Sequence, residues 1–253
     1  MKWKTQYKVH YYYTDYRGIL KPSYTSRYMQ ETANNALKGW GPTPSGLVEN
    51  NQAFILSKIT FKFYKPVFED EVIDVETWAH ASGALIFTRF YRILRGEEIV
   101  AEAASSWVLV NIGTKQLLRT SELYTDSIQS DDEKLAFETV RRFKIPEELQ
   151  FIGERRISFS DIDQNMHTNN TVYLDIIADM AAVTSDGTPM SGRRIAEMDI
   201  MYQKESPYGE TLLLYRHEGE RDESGASICV LRAAFKTTGE VCFDARATLV
   251  PFA

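Results

Sequence analysis

Arg155-Arg156-Ile157-Ser158-Phe159-Ser160-Asp161 repeats, in outline, Val9-His10-Tyr11-Tyr12-Tyr13-Thr14-Asp15. Each reads as a strand that ends in a hydroxyl residue and an aspartate. A polar segment and then an amphipathic helix follow in both places, so the chain carries two copies of one unit. The first helix sets Tyr28, Met29, Ala33, Ala36 and Leu37 on one stripe, with Gly39 as its expected C-cap. The second carries Val172, Tyr173, Ile176, Ile177 and Met180 at helical spacing. From Val172 to Val183 it is apolar on more than one face, as a helix nearly surrounded by a sheet must be.

Strands follow each helix. In the first copy residues 59–64, 71–78, 86–94 and 100–110 read as strands; in the second, 196–202, 211–216, 227–235 and 241–250 do. Gly96-Glu97 and Gly239-Glu240 supply matching turns. One helix and a run of antiparallel strands, twice over, predicts an α+β fold in which each sheet wraps its helix. The expected division is a first domain over residues 1–119, shaping a substrate cavity, a connector over 120–154, and a second, reactive domain over 155–253. In the connector, Leu135, Phe137 and Val140 predict a short helix, and the segment is expected to pack across the surface.

The chemistry concentrates at the entry to the second helix. Asp163, Asn165 and His167 alternate, so an extended backbone points all three to one side. A carboxylate, a carboxamide and an imidazole together supply a base, an orienting group and a polar anchor for acyl transfer. Asn169 or Asn170 is placed to cap the helix, whose first N–H groups suit the oxyanion of a tetrahedral intermediate. In the first copy, Arg17 and Lys21-Pro22 stand where the second has Asp163 and His167, while Asp15 matches Asp161 as a turn or cap residue. Asp161-x-Asp163-x-Asn165 opens like a calcium loop, but Met166 and Val172 replace its sixth-position glycine and twelfth-position glutamate. No second His or Cys lies at zinc-ligand spacing, and neither metal nor organic cofactor is expected.

Composition narrows the class. Of 253 residues 43% are hydrophobic and 12% aromatic, enough for a packed core. A net charge of −6 with both signs interspersed argues against a general nucleic-acid binder. The two cysteines, Cys229 and Cys242, read as half-buried thiols of a reducing compartment. Met1 to Lys8 lacks the apolar core of a signal peptide, and no apolar run approaches the roughly 20 residues that span a bilayer, so a soluble cytoplasmic protein is expected. Monomer and homodimer both fit a duplicated unit.

The chain resembles the acyl–acyl carrier protein thioesterases of bacteria and plastids, which are tandem hotdog proteins. The resemblance runs through Arg27-Tyr28-Met29-Gln30-Glu31-Thr32-Ala33-Asn34, residues 54–59, Val75-Glu76-Thr77-Trp78 and Ser106-Trp107-Val108-Leu109-Val110-Asn111. It is most specific at Asp163-x-Asn165-x-His167 with Asn169-Asn170, and it includes Tyr202-Gln203-Lys204-Glu205-Ser206. It implies a catalytic set of Asp163, Asn165, His167 and Glu205, substrate contacts from Asn169 and Asn170, and acyl-loaded carrier protein as substrate and partner. Ser206 stands where the family carries a cysteine, which weakens a thiol-nucleophile reading. In one version Glu205 and His167 activate water while Asp163 fixes the imidazole; in the other Asp163 attacks the thioester directly. An acidic carrier protein would dock on basic residues, with Arg141, Arg142, Lys144, Arg155, Arg156, Arg193 and Arg194 as candidates. An acyl-CoA thioesterase and a non-catalytic acyl-binding hotdog are the alternatives.

Overall fold

The computed structural model describes residues 1–80, 83–125, 128, 130–139, 142–183 and 192–252. They pack as two compact units, Met1–Thr139 and Val140–Ala253.

The first unit runs β1 (Trp3–Lys8), a 3-10 turn at Tyr11–Tyr13, α1 (Pro22–Trp40), α2 (Pro44–Glu49), β2 (Gln52–Phe63), β3 (Val72–His80), β4 (Phe87–Arg95), β5 (Glu98–Asn111) and β6 (Leu117–Leu118). Its strands pair antiparallel in the order β1-β3-β4-β5-β2, with β6 also on β5. Period-two patterning places them: in β3, Ile73, Val75 and Thr77 are buried while Asp74 and Glu76 alternate outward. The second unit runs β7 (Gln150–Arg156), a 3-10 turn at Phe159–Asp161, α3 (Asn170–Ala182), β8 (Arg193–Tyr202), β9 (Thr211–Glu218), β10 (Ser227–Phe235) and β11 (Val241–Pro251). Its order, β8-β11-β10-β9-β7, is the first unit's order read in the other direction. The duplicated α+β architecture expected from the sequence is therefore present in five matching strands per unit, and β6 has no counterpart among the described residues.

The register of the duplication differs from the sequence match. The strand of the second copy ends at Arg156, and Phe159–Asp161 forms a 3-10 turn. Three hydrogen bonds fix the alignment. Asp163 N donates to His167 O as Asp15 N donates to Ile19 O; Met166 N donates to Asp163 O as Gly18 N donates to Asp15 O; Asn169 N donates to Asp161 O as Lys21 N donates to Tyr13 O. Asp15 is thus the counterpart of Asp163, not of Asp161, and Ile19 is the counterpart of His167. Gly18 and Met166 occupy one left-handed position, at φ 75° and 64°. The first copy therefore keeps the carboxylate and loses the imidazole, and Arg17 covers that carboxylate through bonds of 2.8 and 3.1 Å.

Gly39 is not the cap of α1. It lies inside the helix, where a Cβ would come within 2.9 Å of the Trp3 ring, and Gly41 ends the helix. No helix forms over the described residues 130–139. Leu135 and Phe137 instead pack against Trp78, Phe90 and Ala104, Trp78 Nε1 donates to Glu133 O at 2.8 Å, and Asp131 N donates to Ala79 O at 2.9 Å. Val140 and Arg141 fall outside the described residues.

The corrected register explains one buried defect. In α3, Thr171 Oγ1 donates to Asn169 Oδ1 at 2.8 Å. In α1 the equivalent pair is Ser23 and Lys21, and an ammonium cannot accept. The Ser23 hydroxyl is fully buried and has no partner among the described residues. Ser23→Ala is expected to raise unfolding free energy by about 1 kcal/mol, because the variant no longer buries an unmet hydroxyl. Urea denaturation checks this, and a loss of stability would mean that the hydroxyl is satisfied in solution.

Candidate active site

The segment from Asp161 to Asn170 is a tight turn, not the extended run expected. Ile162 bridges Thr168 antiparallel, and Met166 holds a left-handed backbone at its tip. Alternation therefore does not align the three polar side chains. Asp163 Oδ1 accepts from the Asn165 backbone N–H at 2.9 Å, and Asp163 Oδ2 accepts from Asn169 Nδ2 at 3.2 Å. Both carboxylate oxygens thus hold the turn and the helix cap together. Asn165 sits exposed at the tip of the turn.

Asn169 is the N-cap of α3: its Oδ1 accepts from Thr171 N at 2.9 Å. Asn170 is the first residue of that helix, so its N–H has no acceptor within the helix. Asp161 is buried and structural, taking two 2.9 Å bonds from Arg155 Nη2 and one of 2.8 Å from Ser158 N.

Long-range pairing brings in the remaining acid. Thr168 N and Thr168 Oγ1 both donate to Ser206 O, at 3.0 and 2.8 Å, and His167 bridges Pro207. Glu205 Oε2 consequently lies 3.3 Å from His167 Nδ1. Both side chains are about half exposed, so the pair is open to a substrate. The carboxylate beside the imidazole nitrogen is that of Glu205, while both oxygens of Asp163 are taken up within the turn. Ser206 next to Glu205 is fully buried, with Oγ 3.0 Å from Cys242 Sγ. Burial pushes the Cys242 thiol up to about 11, so it stays protonated at neutral pH. Sequence reasoning did not foresee Cys242 at this place; no local motif links residues 206 and 242.

Of the basic residues considered for docking, Arg193 is buried and paired with Glu218 at 2.5 Å, and Arg155 is engaged with Asp161. Arg142, Lys144 and Arg156 are exposed, and Arg141 lies outside the described residues. Among the described residues no group of three or more His, Cys, Asp or Glu side chains is placed to hold a metal ion.

Comparison with known families bears on this geometry. The acyl-ACP thioesterase N-terminal domain model matches residues 1–128, and the acyl-ACP thioesterase C-terminal domain model matches residues 146–247. The chain belongs to the acyl-ACP thioesterase family. Among curated relatives, the chloroplastic palmitoyl-acyl carrier protein thioesterase of Arabidopsis thaliana is 26% identical over 193 residues, covering 70% of this chain and 46% of that protein. The chloroplastic oleoyl-acyl carrier protein thioesterase 2 of the same plant is 25% identical over 168 residues, covering 58% and 45%. The chain spans about half the length of the curated relatives it matches. Among solved structures, an acyl-ACP thioesterase from Bacteroides thetaiotaomicron superposes with a TM-score of 0.84 at 20% identity over 98% of this chain and 97% of that one. A 12:0-ACP thioesterase from Umbellularia californica gives 0.79 at 18% identity over 99% and 94%. The shared fold is the tandem hotdog.

Proposed function

We propose that this member of the acyl-ACP thioesterase family hydrolyses the thioester of fatty acyl–acyl carrier protein and releases free fatty acid. The observation that carries the reading is the His167–Glu205 pair beside the N-terminus of α3. A thioester carbonyl is electrophilic, but neutral water attacks it slowly and needs a positioned base. Glu205 holds Nδ1 of the imidazole, which leaves Nε2 to take a proton from water as the oxygen bonds to the carbonyl carbon. The Asn170 N–H, at the positive end of the helix, stabilises the oxyanion that forms. The C–S bond then breaks, and the imidazolium returns its proton to the departing thiolate of the carrier's arm. Asn165, exposed at the turn, contacts the carbonyl or the water. Asp163 and Asn169 hold the turn in place.

Asp163 as a covalent nucleophile fits less well, because both its oxygens already accept hydrogen bonds within the turn. No metal or organic cofactor enters these steps. Among the described residues no helix is long and apolar enough to cross a membrane. A cytoplasmic location is part of the proposal, supported by the two buried free thiols.

Free-thiol release from matched panels of acyl–carrier protein and acyl-CoA tests the reading. Preferential turnover of carrier-bound chains is expected. Faster turnover of acyl-CoA would make the chain a CoA thioesterase, and saturable binding without turnover would make it an acyl-binding protein. A single turnover in oxygen-18 water should label the fatty acid alone; label in Asp163 would establish the covalent route.

A further inference from the structure

Glu205 is half exposed, yet its carboxylate lies 3.3 Å from one particular imidazole nitrogen. An exposed glutamate side chain has several rotatable bonds, so its backbone must be held if the carboxylate is to stay there. The peptide groups on both sides of Glu205 are in fact anchored from the core. On the N-terminal side, Lys204 O accepts from Cys242 Sγ at 3.3 Å, while the Gln203 and Lys204 N–H groups both donate to Cys242 O, at 2.9 and 3.1 Å. On the C-terminal side, Ser206 N donates to Tyr173 Oη at 3.1 Å, and Ser206 O takes the two bonds from Thr168.

The anchors form one buried polar cluster. Ser206 and Cys242 are fully buried and Tyr173 is 2% exposed, with the Ser206 hydroxyl 3.0 Å from the Cys242 sulfur. Three protic groups from three elements meet here: Tyr173 from α3, Cys242 from β11, and Ser206 from the segment that carries Glu205. A cluster like this is costly to bury unless each proton finds an acceptor. The Cys242 proton goes to Lys204 O, so the thiol serves here as a donor. Burial raises both the Tyr173 phenol and the Cys242 thiol, so neither ionises near neutral pH and the donor pattern persists.

We propose that Tyr173 and Cys242 are positioning residues that, through the buried Ser206 and the Lys204 carbonyl, hold the Glu205 carboxylate against His167. They do not touch the substrate; they fix the backbone from which the orienting acid projects. The proposal rests on the hydrolytic reading for its kinetic consequence but not for its geometric one. It also gives Ser206 a role. Its hydroxyl points into the core toward Cys242, so at this position the side chain supports the acid beside it and does not attack.

The test compares Tyr173→Phe, Cys242→Ala and Cys242→Ser with Glu205→Gln, by kinetics and by nitrogen-15 NMR of the His167 ring. Tyr173→Phe keeps the buried ring and removes one oxygen; Cys242→Ser keeps the donor that Cys242→Ala lacks. Tyr173→Phe and Cys242→Ala are expected to lower kcat about 10–100-fold with KM changed less than twofold, because a misplacement of about 1 Å is enough for such a loss. Cys242→Ser should recover most of that loss. Tyr173→Phe combined with Glu205→Gln should be no slower than Glu205→Gln alone, since both remove the same contact. In the NMR experiment the His167 ring nitrogens of Tyr173→Phe should move toward their positions in Glu205→Gln. A lowered Tm with unchanged kcat and unchanged ring resonances would overturn the proposal and leave the cluster a purely structural role. If the wild type turns over no thioester, the hydrolytic reading fails, and the ring resonances still decide whether the clamp exists.

Discussion

His167→Ala is expected to lower kcat for acyl–carrier protein hydrolysis by about 10²–10⁴-fold, the range lost when a general base is removed. The imidazole has the Glu205 carboxylate 3.3 Å from Nδ1, and Nε2 is the nitrogen that acts as base in the proposed mechanism. Alanine removes the base and leaves Glu205 facing a gap. KM should change little, because an acyl chain and a carrier arm draw their binding from surfaces other than the imidazole, so the loss appears in kcat. Glu205→Gln should cost less than His167→Ala, since the base survives and only its orientation and charge partner are lost. Steady-state thiol release with a saturating substrate decides the matter. Activity within tenfold of wild type in His167→Ala would move the chemistry to Asp163 and revive the covalent route.

The sequence made the elements legible and the turn illegible, for physical reasons. Strands such as β3 and β10 announce themselves by alternation or by an apolar run broken only at Arg232, and the turns at Gly96 and Gly239 separate β4 from β5 and β10 from β11. Asp163-x-Asn165-x-His167 alternates as well, so by pattern alone it reads as a strand. What bends it is a left-handed residue at Met166, a conformation that a methionine does not advertise. The signal lay in the other copy, where Gly18 occupies that position; aligning the glycine with Met166 shifts the register by two residues and pairs Asp15 with Asp163. Glu205 was reached by family resemblance, and its partner could not be read locally. Its place beside His167 depends on Thr168 bonding Ser206, 38 residues away in the chain. The buried cluster of Tyr173, Ser206 and Cys242 spans still more sequence, and its members read singly as core aromatics, hydroxyls and thiols.

Arg155→Met is expected to destabilise the fold by roughly 2–3 kcal/mol, lowering Tm by about 4–12 °C for a chain of this size. Asp161 is only 8% exposed at its side chain and draws two bonds from Arg155 Nη2, with one further donor at Ser158 N. Methionine fills the space of the arginine stem but leaves a buried carboxylate with a single backbone donor. Breaking one half of a fully buried pair costs about 3–5 kcal/mol; Arg155 is about one-third exposed, so water recovers part of that here. The Asp161 carbonyl accepts from Asn169 N at the mouth of the site, so the same substitution should loosen the cap of α3 and lower kcat as well as Tm. Asp161→Asn in the Arg155→Met background should restore stability in part, because the uncompensated charge is then gone. Thermal melts of the two single variants and the double variant measure the coupling. If Arg155→Met left Tm within about 1 °C of wild type, solvent would already be screening the pair, and Arg155 would return to the set of exposed cations available to an acidic carrier protein. That second role has its own signature: KM for the carrier-bound substrate would rise in Arg155→Met, and the rise would shrink as salt is added.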